Sequence, residues 1–197
     1  MKPLRLSKPH MIVMVGIPGS GKSFFAEHFA QTFSAPYINY DHIRSQLVAQ
    51  PTYSNAETAT VGRIGHHMLL ELFKTDQTIV YEGPSDARTD RQEIAKLAKK
   101  AGYEPLFVWA QTESLAAKSR ALKTTKGKSI LSVEQFEARV RHFTAPNASE
   151  NAVVISGKHT YASQLKIVLK RLLPANNDTM PVNTVPRRTE GRHIAIR

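Results

Sequence analysis

The residues with the most chemical content run from Gly16 to Ser23, Gly-Ile-Pro-Gly-Ser-Gly-Lys-Ser, directly behind the apolar run Met11–Val15. The string satisfies Gly-x-x-x-x-Gly-Lys-Ser/Thr, and a strand before it with a helix opening at Lys22 gives that pattern its mechanism. In such a turn, successive backbone N–H groups and the positive helix N-terminus converge on phosphate oxygens. Gly16, Gly19 and Gly21 stand where the chain needs positive φ or a close backbone approach. Pro18 and Ser20 complete the expected cradle. Lys22 is expected to reach the β- and γ-phosphates, and Ser23 to coordinate Mg²⁺. A nucleoside triphosphate is the ligand these residues imply.

A second cluster bears on where a γ-phosphate would go. The strand ending Tyr37-Ile-Asn-Tyr40 runs into Asp41-His-Ile-Arg44. This places a carboxylate at a strand's carboxyl end, the edge where ligands collect in parallel sheets. Arg44, three residues on, shares a helix face with Asp41. An Asp there can accept the proton of an attacking hydroxyl while the Arg neutralises phosphate. The same two residues could equally be a helix cap and its ion-pair partner. Glu82 ends the run Thr78-Ile-Val-Tyr-Glu82, where an acid would reach Mg²⁺ through water. The densest basic run, Lys118, Arg120, Lys123, Lys126 and Lys128, contains no acid and suits either a phosphate-covering segment or a solvated loop. His66 and His67 are adjacent, hence on different helix faces, and lack metal-site spacing. Trp109 lies within an apolar run and reads as core.

The elements that must position these groups alternate. Strands are expected at Met11–Val15, Pro36–Asn39, Thr78–Tyr81, Leu106–Ala110 and Ala152–Ile155. Helices are expected at Lys22–Phe33, Asp41–Val48, Asn55–Phe73, Thr89–Ala101, Thr112–Leu122, Ser132–His142 and Thr160–Leu173. Phe25, Phe29 and Phe33 recur at i+4 on one face, and Ser132 with Gln135 has capping-box spacing. Alternation of this kind specifies an α/β domain whose mostly parallel sheet is covered on both faces.

The chain has 197 residues, 41% of them hydrophobic, which suits one core rather than two. The periodic pattern stops at Leu173, so residues 1–173 read as the domain and 174–197, rich in Pro, Asn, Thr and Arg, as a flexible basic tail. Cysteine is absent, which suits a reducing cytoplasm and excludes disulfides and thiolate metal sites. The apolar stretch before Gly16 is too short for a signal-peptide core or a membrane span, so an intracellular protein without membrane partners is expected. Twenty-seven Lys and Arg against 16 Asp and Glu give a net charge of +11, which favours polyanionic partners, nucleotide or nucleic acid. Nothing in the sequence addresses oligomeric state.

From Met11 to about Leu173 the chain resembles the small P-loop kinases grouped with 5′-hydroxyl polynucleotide kinases, zeta toxins and chloramphenicol phosphotransferases. The layout is most similar to the phage polynucleotide kinase domain. The loop Gly16–Ser23 matches, and Asn39-Tyr-Asp41-His-Ile-Arg44 resembles that group's Asn-x-Asp-x-x-Arg. The resemblance implies a P-loop NTPase three-layer sandwich with a five-stranded sheet and a helical lid. It implies Asp41 as general base, Arg44 as the acceptor-phosphate contact and Arg91, on the helix after the third strand, as a substrate-side residue. The helix Thr112–Leu122 with the loop Lys123–Ser129 looks like the lid, with Arg120 as its arginine. Where the polynucleotide kinases carry another Arg, this chain offers Lys123 or Lys126, and where they place an Asp it has Glu82. The implied function is an ATP- and Mg²⁺-dependent phosphotransferase acting on a hydroxyl acceptor, polynucleotide 5′-hydroxyl kinase-like. The alternatives are a kinase of a sugar, nucleoside or antibiotic, or an NTP-hydrolysing module that regulates a nucleic-acid partner.

Overall fold

The computed structural model describes residues 8–123 and 131–173. Five strands, β1 (His10–Val15), β2 (Tyr37–Asn39), β3 (Ile79–Glu82), β4 (Glu104–Gln111) and β5 (Val153–Ser156), form one sheet in the order β2-β3-β1-β4-β5. Every neighbouring pair is parallel, so the sheet is wholly parallel where the sequence pattern called for mostly parallel. Seven helices connect and cover it: α1 (Lys22–Phe33), α2 (Tyr40–Leu47), α3 (Asn55–Phe73), α4 (Arg88–Lys100), α5 (Ser114–Lys123), α6 (Val133–His142) and α7 (Tyr161–Leu172). Among the described residues no helix is long and apolar enough to cross a membrane.

Central β1 shows why both faces need cover. Its apolar run Met11–Val15 is fully buried, and alternate side chains enter two different cores. Met11, Val13 and Val15 pack with Leu69 and Phe73 of α3 and with Ile94 and Ala98 of α4. Ile12 and Met14 pack with Phe25 and Phe29 of α1 and with Val168 and Leu172 of α7. The i+4 aromatic row is continuous, with ring centroids 5.8 Å apart for Phe25–Phe29 and 4.6 Å for Phe29–Phe33. The result is helices, sheet and helices in three layers.

Helix starts follow local chemistry. Ser132 and Gln135 form a reciprocal capping box at α6: Gln135 N–H donates to Ser132 Oγ at 3.2 Å, and Ser132 N–H to Gln135 Oε1 at 2.9 Å. At α2 the cap is Asn39, whose Oδ1 accepts from His42 N–H at 2.9 Å. Asp41 is therefore not the cap, and its carboxylate is left for other partners. The carboxyl ends of all five strands share one edge, and the loop Gly16–Gly21 leaves the central strand there.

Candidate active site

The turn after β1 has the backbone its glycines permit. Gly16, Gly19 and Gly21 adopt φ of 141°, 75° and 102°. The loop is also pressed against its neighbours: a Cβ at Gly19 would lie 2.1 Å from the Ala117 carbonyl oxygen of α5. Lys22 opens α1 and folds back over the loop, donating to the carbonyls of Gly16 at 2.7 Å and Ile17 at 3.1 Å. Ser20 is fully buried beneath the turn, whereas Pro18, Gly19, Gly21, Lys22 and Ser23 line a cavity of about 690 Å³.

Glu82, at the end of β3, is the hub of the cavity floor. Its Oε1 accepts from Ser23 Oγ at 2.8 Å, and its Oε2 from Tyr37 Oη at 2.5 Å and Asn39 Nδ2 at 3.1 Å. Asn39 Nδ2 also donates to Tyr37 Oη at 2.7 Å. Burial, followed by the Glu82 charge, pushes the Tyr37 phenol far above its ordinary value, so it remains a donor. The two positions expected at a metal, Ser23 and Glu82, are thus already joined. A serine hydroxyl and a carboxylate meeting at one point are the hard oxygen donors that suit Mg²⁺. Tyr37 escapes a motif search because its role depends on the β2–β3 register, Tyr37 opposite Val80 and Asn39 opposite Glu82.

Asp41 lines the same cavity, and its carboxylate is well exposed. Its partner is Arg139 of α6, Nη2 to Oδ1 at 3.5 Å, rather than Arg44. Burial opposes the charge on Arg139, yet the neighbouring acids, Asp41 foremost, hold its pKa above the ordinary arginine value. Arg139 is a cavity residue that the sequence reading missed, since its only local signal is a basic last turn, Arg139, Arg141 and His142. Asp86, just beyond β3, is half-buried near these residues and does not line the cavity. Burial raises its pKa, and the positive charges of Lys22 and Arg139 pull it back.

The structure moves three expected substrate residues. Arg44 is buried, ion-paired with Glu57 at the start of α3, and does not line the cavity. Its guanidinium lies 4.5 Å from the ring centroid of Tyr53. Arg91 has no exposed surface. It holds Glu150 with Nε and Nη2, at 2.6 and 3.1 Å, and gives Nη1 to the carbonyls of Ser85, Asp86 and Thr144 at 2.9–3.1 Å. It is a scaffold tie, not a ligand contact. Lys123 is exposed at the end of α5 and does not line the cavity, while Lys126 lies outside the described residues. Arg120 does line it, with Nη1 donating to the Gly157 carbonyl at 3.1 Å. The expected lid loop and the tail 174–197 lie largely or wholly outside the described residues. His66 and His67 are both exposed on α3, and Trp109 packs at the edge of the core near Phe143, with ring centroids 6.4 Å apart.

A parallel sheet in this order, with a glycine loop after its central strand and covered on both faces by helices, defines a P-loop kinase-like α/β domain. Residues 11–146 match the family model described as an AAA domain (AAA_33), and the chain belongs to that family. Comparison with curated proteins gives no match. Among solved structures the chain is similar to a putative kinase from Chloroflexus aurantiacus J-10-fl, with TM-score 0.65 and 14% identity over 85% of this chain and 100% of that one. It is similar to the APS kinase CysC of Mycobacterium tuberculosis in complex with AMPPNP and APS, with TM-score 0.57 and 18% identity over 83% of this chain and 96% of that one. A chain of the Pnkp1/Rnl/Hen1 RNA repair complex matches with TM-score 0.60 and 18% identity, over 68% of this chain and 44% of that one.

Proposed function

We propose that the protein is an ATP- and Mg²⁺-dependent kinase that moves the γ-phosphoryl group onto a hydroxyl of an acceptor bound beside Asp41. One observation carries the reading: Lys22, Ser23, Asp41, Glu82 and Arg120 line a single cavity. Lys22 and the loop N–H groups would hold the β- and γ-phosphate oxygens, and Arg120, from α5, would face the transferring group. Ser23 and Glu82 would hold Mg²⁺, which would supply positive charge to offset that of the phosphate oxygens. Asp41 takes the proton of the acceptor hydroxyl as its oxygen bonds to γ-phosphorus and the bond from γ-phosphorus to the β,γ-bridging oxygen breaks. Positioning and electrostatics supply most of the rate in such a transfer. The resemblance of Asn39-Tyr-Asp41-His-Ile-Arg44 to the polynucleotide kinase string supports a nucleic-acid 5′-hydroxyl as acceptor, and the similarity to an RNA repair chain is in keeping with it.

The test is transfer of labelled γ-phosphate from ATP, with Mg²⁺, to 5′-hydroxyl oligonucleotides, nucleosides and small hydroxylated metabolites. Asp41→Asn should retain nucleotide binding and lose turnover by about a hundredfold or more. Release of free phosphate alone, at equal rates in both proteins, would replace the kinase with an NTP-hydrolysing module.

A further inference from the structure

Among the described residues, the charged side chain in contact with Asp41 at the cavity is Arg139. Arg139 reaches the cavity from α6, and Arg44, the residue expected to neutralise an acceptor phosphate, does not. The difference has a structural cause. The Glu57 carboxylate that holds Arg44 also accepts from Thr52 N–H at 2.8 Å, Thr52 Oγ1 at 2.9 Å and Tyr53 N–H at 3.2 Å. These bonds pin Tyr53 in the left-handed region, φ 57°, a conformation that a bulky residue keeps only where its surroundings enforce it. So pinned, Tyr53 presents its ring to the cavity, with the Arg139 guanidinium 5.1 Å from its centroid. Arg44 and Glu57 build the wall, Tyr53 is its face, and Arg139 lies against that face with its side chain 30% exposed.

Among the described residues, the side-chain hydrogen bond that Arg139 makes is a long one to Asp41, 3.5 Å on a single nitrogen. A guanidinium offers a fork suited to a carboxylate or phosphate, and one long contact does not use it. We propose that Arg139 reads an oxyanion on the acceptor, so that the acceptor is a hydroxyl compound carrying a phosphate or carboxylate close to the reactive hydroxyl. The inference rests on the kinase reading above. An anion that engages Arg139 turns its fork away from Asp41 and leaves Asp41 Oδ1 to the hydroxyl. With the two side chains near their 3.5 Å separation and ordinary hydrogen-bond lengths at both ends, the anion and the hydroxyl lie within roughly 9 Å of one another. A compound without the anion leaves the Arg139–Asp41 contact in competition with its hydroxyl.

The test uses the full chain and matched acceptors: a nucleoside 3′-phosphate against the nucleoside, and gluconate against glucitol. In the wild type, kcat/KM for transfer of labelled γ-phosphate should favour the charged member of one pair by about 10- to 100-fold, as a charge-assisted contact provides. The pair that shows the preference tells phosphate from carboxylate. Arg139→Gln should erase the preference, chiefly through KM, and Arg139→Lys should retain part of it. No preference in the wild type, or an equal loss for charged and neutral acceptors in Arg139→Gln, overturns the inference. Calorimetric titration of the same four compounds, with a non-hydrolysable ATP analogue present, separates this failure from that of the kinase reading. If no compound is phosphorylated, binding of a charged member that depends on Arg139 still supports the anion contact, and its absence refutes it. Melting curves of both variants identify any loss that comes from misfolding, and Arg139→Lys, which keeps charge and length, then decides.

Discussion

Arg91→Met separates a scaffold residue from a substrate residue. The side chain is fully buried and makes five hydrogen bonds, two to Glu150 and one each to the carbonyls of Ser85, Asp86 and Thr144. Met fills much of the same volume and donates to none of them. Breaking a buried pair by removing one partner costs about 3–5 kcal/mol, because the other charge is left uncompensated. For a domain of this size that lowers the melting temperature by roughly 6–20 °C. Calorimetric or circular-dichroism melting measures it directly. Glu150 supplies a second signature. Its hydrogen bond to Arg91 holds its carboxyl below the ordinary glutamate value. A depressed carboxylate contributes stability that is fully present above the unfolded value of about 4.3 and is lost as pH falls through the lower native value. The difference in stability between wild type and Arg91→Met should therefore shrink as pH drops below about 4. If Arg91→Met melts within about 2 °C of the wild type and instead raises KM for an acceptor, the assignment is wrong, since a surface-type loss is worth under about 0.5 kcal/mol.

Two further substitutions probe the nucleotide end. Gly19→Ala puts a Cβ 2.1 Å from the Ala117 carbonyl at a φ of 75°, so the loop must shift; overpacking and strain of about 1–3 kcal/mol should weaken binding of a fluorescent ATP analogue by about 5- to 150-fold. Affinity equal to that of the wild type would show that the loop does not need this backbone. Glu82→Gln keeps the size of the hub and removes its charge, and the Mg²⁺ concentration for half-maximal phosphotransfer should rise about 10- to 100-fold. An unchanged Mg²⁺ titration would remove Glu82 from the metal site.

Much of the nucleotide end is legible in the sequence because its determinants are local. The loop strings a glycine wherever φ is positive, and the bounds Lys22–Phe33 and Asn55–Phe73 read from apolar period coincide with α1 and α3. The acceptor end is not legible in the same way, and Asn39-Tyr-Asp41-His-Ile-Arg44 shows why. Helix geometry places Asp41 and Arg44 near one face but does not say which neighbour that face meets. Packing of α2 on α3 decides it, drawing Arg44 into a buried pair with Glu57 thirteen residues away and leaving Asp41 at the cavity. Residues 54–57 carry the Ser-x-x-Glu capping pattern, and half of it is used: Ser54 caps α3, while the Glu57 side chain turns to Arg44, Thr52 and Tyr53. Arg139 is harder still, because a basic last turn is what any helix favours at its negative end. Its place beside Asp41 comes from α6, which lies between β4 and β5 in the chain and far from α2 in sequence. The string therefore distributes its residues among three places, with Asn39 on the Glu82 hub, Asp41 at the cavity and Arg44 in the wall. A substitution at any one of them should fail differently, in metal affinity, turnover or stability, rather than as one catalytic unit.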